Sequence, residues 1–567
     1  MFLLVFSMLL IIACKEEPEV IDNSDKTAPT LIVSTPANNE TNVAASSSIV
    51  LVFTEKIVLA TNAAITLNGQ AVQATVSNKN LSIIASLVAG TAYTLLIPAN
   101  SITDEAGNTA TAISISFTTA APIVPVGIFL EAENATLTGG AEEKTDIAGF
   151  RGTGYVNTNV GNVTFTVNIE TAGYYDIEIR FASIYDEKTN DLYVDNVKMS
   201  SIKFPAQTYW GSLVGGKVNL SAGTHSIAIV KNWGYIQLDY IRLIYDAVGP
   251  AQFNIDQVLV TPSPSSQAVK LYSFLKDNFG KKVISGAMAN HSTNIDEATW
   301  VFNQTGKWPT LVGFDYIDHT KAGQSWVKYD APFTLGQDWW NNNGIVTLMW
   351  HWRDPLTKTG AFYTAETTFD VSKVSDVNSA EYKAMIVDID AIAVYLKQFK
   401  EANIPVLWRP LHEASGRWFW WGAKGAEPCK ALWKIMFNRL VTHHGLNNLI
   451  WVWTSDAAED AANWYPGDAY VDMIGMDIYP GENQHGSQYI SYNKVKEFSK
   501  GKKMLTLSEC GSAPDPALMK ESGDMWSWFM PWNGTYTRDD KHNGATWWNK
   551  FFSYDYVITR DKMTSLK

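Results

Sequence analysis

At 567 residues the chain exceeds what one hydrophobic core supports, so two to four domains are expected. A net charge of −13 and a pI near 5.2 argue against nucleic acid or an anionic membrane surface as a partner, while neutral polymers stay open. Hydrophobic content of 46% with 18% charged residues is that of folded domains rather than long disorder. Tryptophan marks a boundary: all but two of the 22 lie after residue 250, and the first 125 residues contain none. The three cysteines, Cys14, Cys429 and Cys510, are too few for a disulfide framework or a cysteine-based metal site. Cys429 and Cys510 could pair only if the fold brings them together; isolated, inert thiols are expected.

Met1 to Ala13 are nearly all apolar and stop at Cys14. The run is too short to span a bilayer and has the length of a signal-peptide core. Ile11-Ile12-Ala13-Cys14 resembles a bacterial lipobox, which implies a signal over residues 1–14 and lipidation of Cys14. The alternative is an unlipidated secretion signal. Lys15-Glu16-Glu17 resembles the surface-export signal of Bacteroidetes lipoproteins. Together these resemblances imply a lipid anchor at the cell envelope, in the outer membrane and facing outward.

Residues 27–120 read as short strands with turn punctuation. Ile113, Ile115 and Phe117 alternate with Ser114, Ser116 and Thr118, the period of a half-buried strand. Ser48–Phe53, Ala71–Val76, Leu81–Ala85 and Ala92–Ile97 are predicted strands, and Asn68-Gly69 is a hairpin turn signal. The segment resembles bacterial Ig-like modules, and nothing in it is equipped for chemistry, so a spacer sandwich is expected. Ala121-Pro122-Ile123-Val124-Pro125 follows as a stiff linker.

Residues 128–246 form a second predicted all-β unit, with strands such as Val163–Ile169, Tyr174–Phe181 and His225–Val230. Three stretches carry a resemblance to carbohydrate-binding module family 35. They are Phe129-Leu130-Glu131-Ala132-Glu133, Gly152-Thr153-Gly154-Tyr155-Val156 and Ile236-Gln237-Leu238-Asp239-Tyr240-Ile241. The resemblance implies a structural calcium held by Glu131, Glu133 and Asp239, a donor set that suits a hard cation. The alternative is a salt-bridge cluster without metal. It also implies sugar contacts from Tyr155, Asn232 and Trp233, although Trp233 could instead belong to the core.

From residue 255 to 567 the texture is strand, loop, helix, repeated. Lys282–Ala289, Thr310–Tyr316, Gly344–Trp352, Ile404–Glu413, Asn448–Thr454, Asp472–Tyr479, Lys503–Glu509 and Asp524–Pro531 are the predicted strands. Apolar stripes such as Met385, Ile389, Ile392, Leu396 and Phe399 mark helices between them. Eight alternating units in about 300 residues is the arithmetic of a (β/α)₈ TIM barrel. The fold class expected for the chain is therefore multidomain: two all-β sandwiches followed by a (β/α)₈ catalytic barrel. A doubly wound open sheet is the alternative, and no glycine-rich phosphate loop supports it.

Barrel chemistry collects at the carboxyl ends of the strands. The predicted fourth strand ends in Trp408-Arg409-Pro410-Leu411-His412-Glu413, with Trp418-Phe419-Trp420-Trp421-Gly422 just after it. Aromatic faces beside a carboxylic acid suit a sugar-cleaving site, with platforms for sugar rings and a proton donor for the leaving oxygen. The seventh ends in Leu507-Ser508-Glu509, a second carboxylate at the same face, and the sixth in Asp477-Ile478-Tyr479-Pro480. These three motifs resemble glycoside hydrolase family 26, mostly β-mannanases, over about residues 265–560. Ala414-Ser415 stands where mannanases often carry Met-Asn.

That resemblance implies a retaining endo-β-1,4-mannanase with Glu413 as acid/base and Glu509 as nucleophile. Tyr479 would hold the nucleophile, and His412 and His351 would orient the acid and the sugar hydroxyls. Trp418 and Trp532 are the candidate sugar platforms and Arg409 a further sugar-binding candidate, with Trp420 and Trp421 holding the loop; the alternative is that Glu509 merely pairs with Arg409. No cofactor is required for catalysis, the partner is β-mannan rather than nucleic acid, and a monomer is expected. Alternatives are a mixed-linkage β-glucanase or β-1,3-xylanase of the same family, or a non-catalytic surface glycan-binding protein.

Overall fold

The computed structural model describes residues 25–567 except 45–46, 89, 121–126, 248, 250–251, 291, 321–326 and 359–360. The signal segment with Cys14 and the linker at 121–125 lie outside the described residues. Two compact units divide at Pro125.

The first unit is a small β-sandwich. One sheet orders Leu31–Thr35, Ile49–Phe53, Asn80–Ile84 and Gln73–Ser77; the other places Ile113–Thr119 between Glu40–Val43 and Ala92–Ile97. Alternation decides the packing: Leu51, Phe53, Leu81, Leu95 and Phe117 are at most 2% exposed, while intervening residues face outward. Asn68 and Gly69, with φ of 50° and 76°, turn the tight hairpin between Thr66–Leu67 and Gln70–Ala71. Positive φ at both central residues is what this turn needs, and Asn-Gly supplies it at little steric cost.

The second unit opens with another sandwich. Gly173–Ser183 lies between Gln207–Leu220 and Gln237–Asp246 in one sheet, and Gly223–Trp233 lies between Asn162–Ile169 and Lys188–Val194 in the other. Its core joins Val163, Phe165, Ile177, Ile179, Leu192, Ile227 and Leu238.

Eight parallel strands follow and close on themselves: Val283–Met288, Leu311–Asp315, Ile345–Trp350, Val406–Pro410, Leu449–Ser455, Met473–Ile478, Met504–Cys510 and Trp528–Pro531. Each pairs with the next, and strand one pairs with both strand two and strand eight. The strands are buried on both faces, as expected when helices cover the outside and side chains fill the inside. The barrel core takes up most of the tryptophans, including Trp339, Trp408, Trp433, Trp451, Trp526, Trp528 and Trp548.

Two boundaries differ from expectation for physical reasons. Strand four stops at Pro410, because proline offers no N–H to the ladder. Leu411 and Glu413 beyond it adopt left-handed backbone, with φ of 52° and 53°. Strand eight begins only at Trp528, because Asp524 turns away to accept hydrogen bonds from Ser487 Oγ and the Gln488 N–H. Helices Tyr489–Phe498 and Pro516–Ser522 lack a long apolar stripe in the sequence and emerge only in the fold. Cys429 and Cys510 are buried, free thiols, as expected. Among the described residues no helix is long and apolar enough to cross a membrane.

Candidate active site

The carboxyl ends of strands four, six and seven converge on three carboxyl groups. One oxygen each from Glu413, Asp477 and Glu509 lies within 4.8 Å of the others. Register explains part of this, since Asp477 sits directly opposite Glu509 in the ladder between strands six and seven. A register shift between Met476 and Asp477 accompanies it, and such irregularities re-aim side chains at strand ends.

Arg409 makes this concentration of charge tolerable. Its guanidinium donates to Glu509 Oε1 and, at 3.1 Å, to Asp477 Oδ2, with all three side chains buried. The expectation that Arg409 touches sugar is therefore corrected: at 1% exposure it stands behind Glu509 as its counter-ion. Tyr479 donates its hydroxyl to Glu509 Oε2 at 2.6 Å. Both oxygens of Glu509 are thus held, one from each side.

Glu413 is treated differently by its surroundings. Burial first, then the charge of Glu509, pushes its pKa up to about 7. It therefore carries its proton below neutrality and gives it up as the pH rises through about 7. The Trp418 indole N–H donates to Glu413 Oε2 at 3.0 Å, and the backbone N–H of Glu413 is anchored on Thr454 O at 3.1 Å. Left-handed backbone at Leu411 and Glu413 costs on the order of 1–3 kcal/mol each and persists because the neighbours over-determine it. Burial and the charge of Glu509 push the Asp477 pKa well above the usual carboxylate range.

The two histidines also part company. His412 is driven well below its ordinary pKa by burial, then by His351 and Arg409, and is neutral. His351 is opposed by burial but gains more from Asp315, so its pKa rises. Asp315 accepts both the backbone N–H and the Nδ1–H of His351, at 2.9 and 2.7 Å. The rings of His351 and His412 meet edge to face, 4.5 Å apart.

Around this polar centre the aromatics divide. Trp418 is 42% exposed and Trp532 half-buried, its ring 6.1 Å from that of His351, so both present surface to a ligand. Trp420 and Trp421 are fully buried and donate to Trp352 O and His412 O, which makes them struts of the loop.

Sequence reasoning missed Asp315 and left Asp477 unassigned. Each stands at a strand's carboxyl end, the position that was the available signal, but neither has a neighbouring polar residue to single it out. The aromatic wall of Phe362 and Tyr363, from the long loop after strand three, was also missed; the Phe362 ring lies 5.0 Å from that of His351.

In the sandwich at 128–246, Tyr155 corrects expectation. It is 2% exposed and donates its hydroxyl to Asp146, so it packs rather than contacts sugar. Trp233, at 58% exposure, lies on the surface with Lys188 Nζ 4.8 Å from its ring centre, and exposed Tyr185 meets Tyr235 edge to face. Asn232 donates to Asp191 Oδ1 at 3.0 Å. Glu131 pairs with Arg151, and Asp239 with Arg180 and the Arg151 N–H. Glu131 Oε2 and Glu133 Oε2 are nevertheless buried without a hydrogen-bond partner, an arrangement that fits a hard cation.

A paired acid and held carboxylate, flanked by aromatic platforms at the mouth of a TIM barrel, define a glycoside hydrolase. The family model described as Glycosyl hydrolase family 26 matches residues 260–562, and the chain belongs to that family. Residues 128–245 match Carbohydrate binding module (family 35), and residues 25–119 match a bacterial Ig-like domain. A mannan endo-1,4-β-mannosidase of Thermothelomyces thermophilus is 37% identical over 76% of this chain and 90% of its own. Mannan endo-1,4-β-mannosidase B of Piromyces is 36% identical over 77% of each. Among solved structures, the Podospora anserina GH26-CBM35 β-(1,4)-mannanase aligns with TM-score 0.56 and 38% identity, over 78% of this chain and 99% of that one. The β-mannanase from a symbiotic protist of the termite Reticulitermes speratus, complexed with gluco-manno-oligosaccharide, aligns with TM-score 0.53 and 43% identity, over 56% and 100%.

Proposed function

We propose that the barrel hydrolyses β-1,4-linked mannan by a retaining double displacement. The observation that carries the mechanism is the approach of Glu413 and Glu509 oxygens within 4.8 Å. An inverting pair stands roughly 6.5–9.5 Å apart to admit a water, whereas a retaining pair stands about 5–5.5 Å apart. The Glu509 carboxylate, held in position by Arg409 and Tyr479, attacks the anomeric carbon as the glycosidic C–O bond breaks. Glu413 gives its proton to the departing oxygen, and is suited to do so because burial and the charge of Glu509 raise its pKa to about 7. Glu413 then takes a proton from water, whose oxygen displaces Glu509 and restores the enzyme. His351 and neutral His412 orient sugar hydroxyls at the cleavage position, and Trp418 and Trp532 receive the flanking rings.

The mannan assignment rests on the named activity of relatives that cover most of this chain. Side-by-side digestion of galactomannan, mixed-linkage glucan and β-1,3-xylan tests it, with Glu509→Ala as the blank. Release of manno-oligosaccharides only from galactomannan is expected. Equal or faster cleavage of either other polymer overturns the assignment.

The sandwich at 128–246 grips the same polymer through Trp233 and Asn232, and Glu131, Glu133 and Asp239 would hold a structural calcium there. The lipobox supports lipidation at Cys14 and display on the outer membrane, with the chain monomeric beyond its anchor. Mass spectrometry of the N-terminal peptide from cell envelopes tests the anchor, and an unmodified cysteine there would refute it.

A further inference from the structure

The segment that leaves strand six, from Tyr479 to Gln488, runs directly onto the binding module. Gln484 Oε1 accepts from Lys198 Nζ and, at 2.7 Å, from Ser201 Oγ of that module. The Ser487 N–H donates to Met199 O at 2.6 Å. Gly486 lies so close that a Cβ would stand 2.4 Å from Met199 O and 2.9 Å from Ser200 Cα, so only glycine fits there. Leu518, from the barrel helix Pro516–Ser522, is buried in the module's own core.

On the barrel side the same segment is fixed at both ends. Tyr479 holds Glu509, and the Gly511 N–H donates to Ile478 O. Beyond Gln484, His485 Nδ1 hydrogen-bonds Ala513 O at 2.6 Å and its ring stacks on Trp547. On the module side, Asp191 accepts from the Asn232 amide through one oxygen, which shares the single Ser201 hydroxyl proton with Gln484, and pairs with Lys198 through the other. A continuous run of polar contacts and one short loop therefore reaches from the exposed Asn232-Trp233 edge to the nucleophile.

We propose that Gln484 is a positioning residue through which the binding module braces the Tyr479 loop and thereby holds Glu509 in line. The proposal rests on Glu509 being the nucleophile. The module in this view has a second task besides gripping polymer: it completes the support of the active site. An acceptor on Gln484 is what the brace requires, since only its oxygen is used. Displacements well below an ångström at a reacting group lower the turnover rate without weakening binding elsewhere along the substrate.

The test uses the full chain and a short soluble manno-oligosaccharide, so that grip on polymer plays no part. Gln484→Ala is expected to lower kcat about threefold to tenfold with KM little changed. Gln484→Glu, which keeps an acceptor for Lys198 and Ser201, is expected to restore kcat. In a Tyr479→Phe background the Gln484→Ala change is expected to add nothing, because the two act along one path. Asp191→Asn, which loosens Lys198 and Ser201 from the module side, is expected to give a weaker version of the same loss. Unchanged kcat in Gln484→Ala, or a loss that adds fully to that of Tyr479→Phe, overturns the brace. An inactive parent chain would instead refute the hydrolase reading, so the two failures are distinguishable.

Discussion

The binding module and the barrel mouth both offer aromatics and carboxylates, arranged in opposite ways. In the module, aromatic rings stand in the open, with Tyr185, Tyr209 and Trp233 all more than half exposed. Three of its carboxylates are each paired with a separate arginine, Glu131 with Arg151, Asp239 with Arg180 and Glu178 with Arg242. At the barrel mouth three carboxyls crowd around one buried arginine, and most aromatics are buried behind them. The difference is that between holding and cutting. Open rings suffice to grip a sugar face, whereas cleavage needs unequal proton affinities in adjacent groups, which only burial and close charge create.

The largest test of this contrast is Arg409→Met. It leaves Glu509 and Asp477 buried without their cation and is expected to cost about 3–5 kcal/mol of stability together with nearly all activity. Chemical denaturation measures the first and hydrolysis of galactomannan the second. By contrast, Arg242→Met should leave hydrolysis untouched, because Arg242 and its partner Glu178 both lie on strands of the binding module rather than of the barrel.

Glu413→Gln comes next. General acid catalysis contributes about 10²–10⁴-fold, and a loss of that size is expected in kcat/KM. Glu413 must carry its proton at the start of the reaction, and its pKa lies at about 7. Activity of the parent should therefore hold below neutrality and fall as pH rises through about 7. That alkaline limb should vanish in Glu413→Gln; a limb that persists unchanged would assign it to another group.

A smaller effect is expected from Trp233→Ala. Loss of one exposed ring removes about 0.5–1.5 kcal/mol, roughly a twofold to tenfold weaker retention on insoluble mannan in a pull-down. The effect on a short soluble substrate should be smaller than on polymer. Equal losses on both would place Trp233 in a structural role.

Chelation should have the smallest effect on hydrolysis. If Glu131 and Glu133 hold calcium, adding the ion at about 100 times its Kd stabilises the module by roughly 2.7 kcal/mol, read as a raised melting temperature. Glu133→Gln should erase that response, with hydrolysis of soluble oligosaccharide retained. A calcium-independent melting temperature in the parent would leave only the arginine pairs.

Much of the catalytic pair was legible before any coordinates. The alternation of strands and helices placed Glu413 and Glu509 near two strand ends of one barrel, and a barrel brings strand ends together whatever the loop lengths. The acid loop was legible too, since a glutamate followed by Trp418, Phe419, Trp420 and Trp421 has few other uses. Which tryptophan met solvent was foreshadowed, but Tyr155 was misread: one ring in a strand motif packs or binds depending on the loop that covers it.

Arg409, Asp477 and Asp315 show where sequence stops. Each is a charged residue at a strand end, and nothing in its neighbours says whether it faces sugar or another side chain. Sequence alone determined the order of domains, the barrel and the two glutamates, because periodicity and strand-end position are local properties. Tertiary structure decided the proton affinities, the demotion of Arg409 from sugar contact to counter-ion, and the joint at Gln484. Those depend on burial and on partners up to hundreds of residues away, which no local pattern encodes.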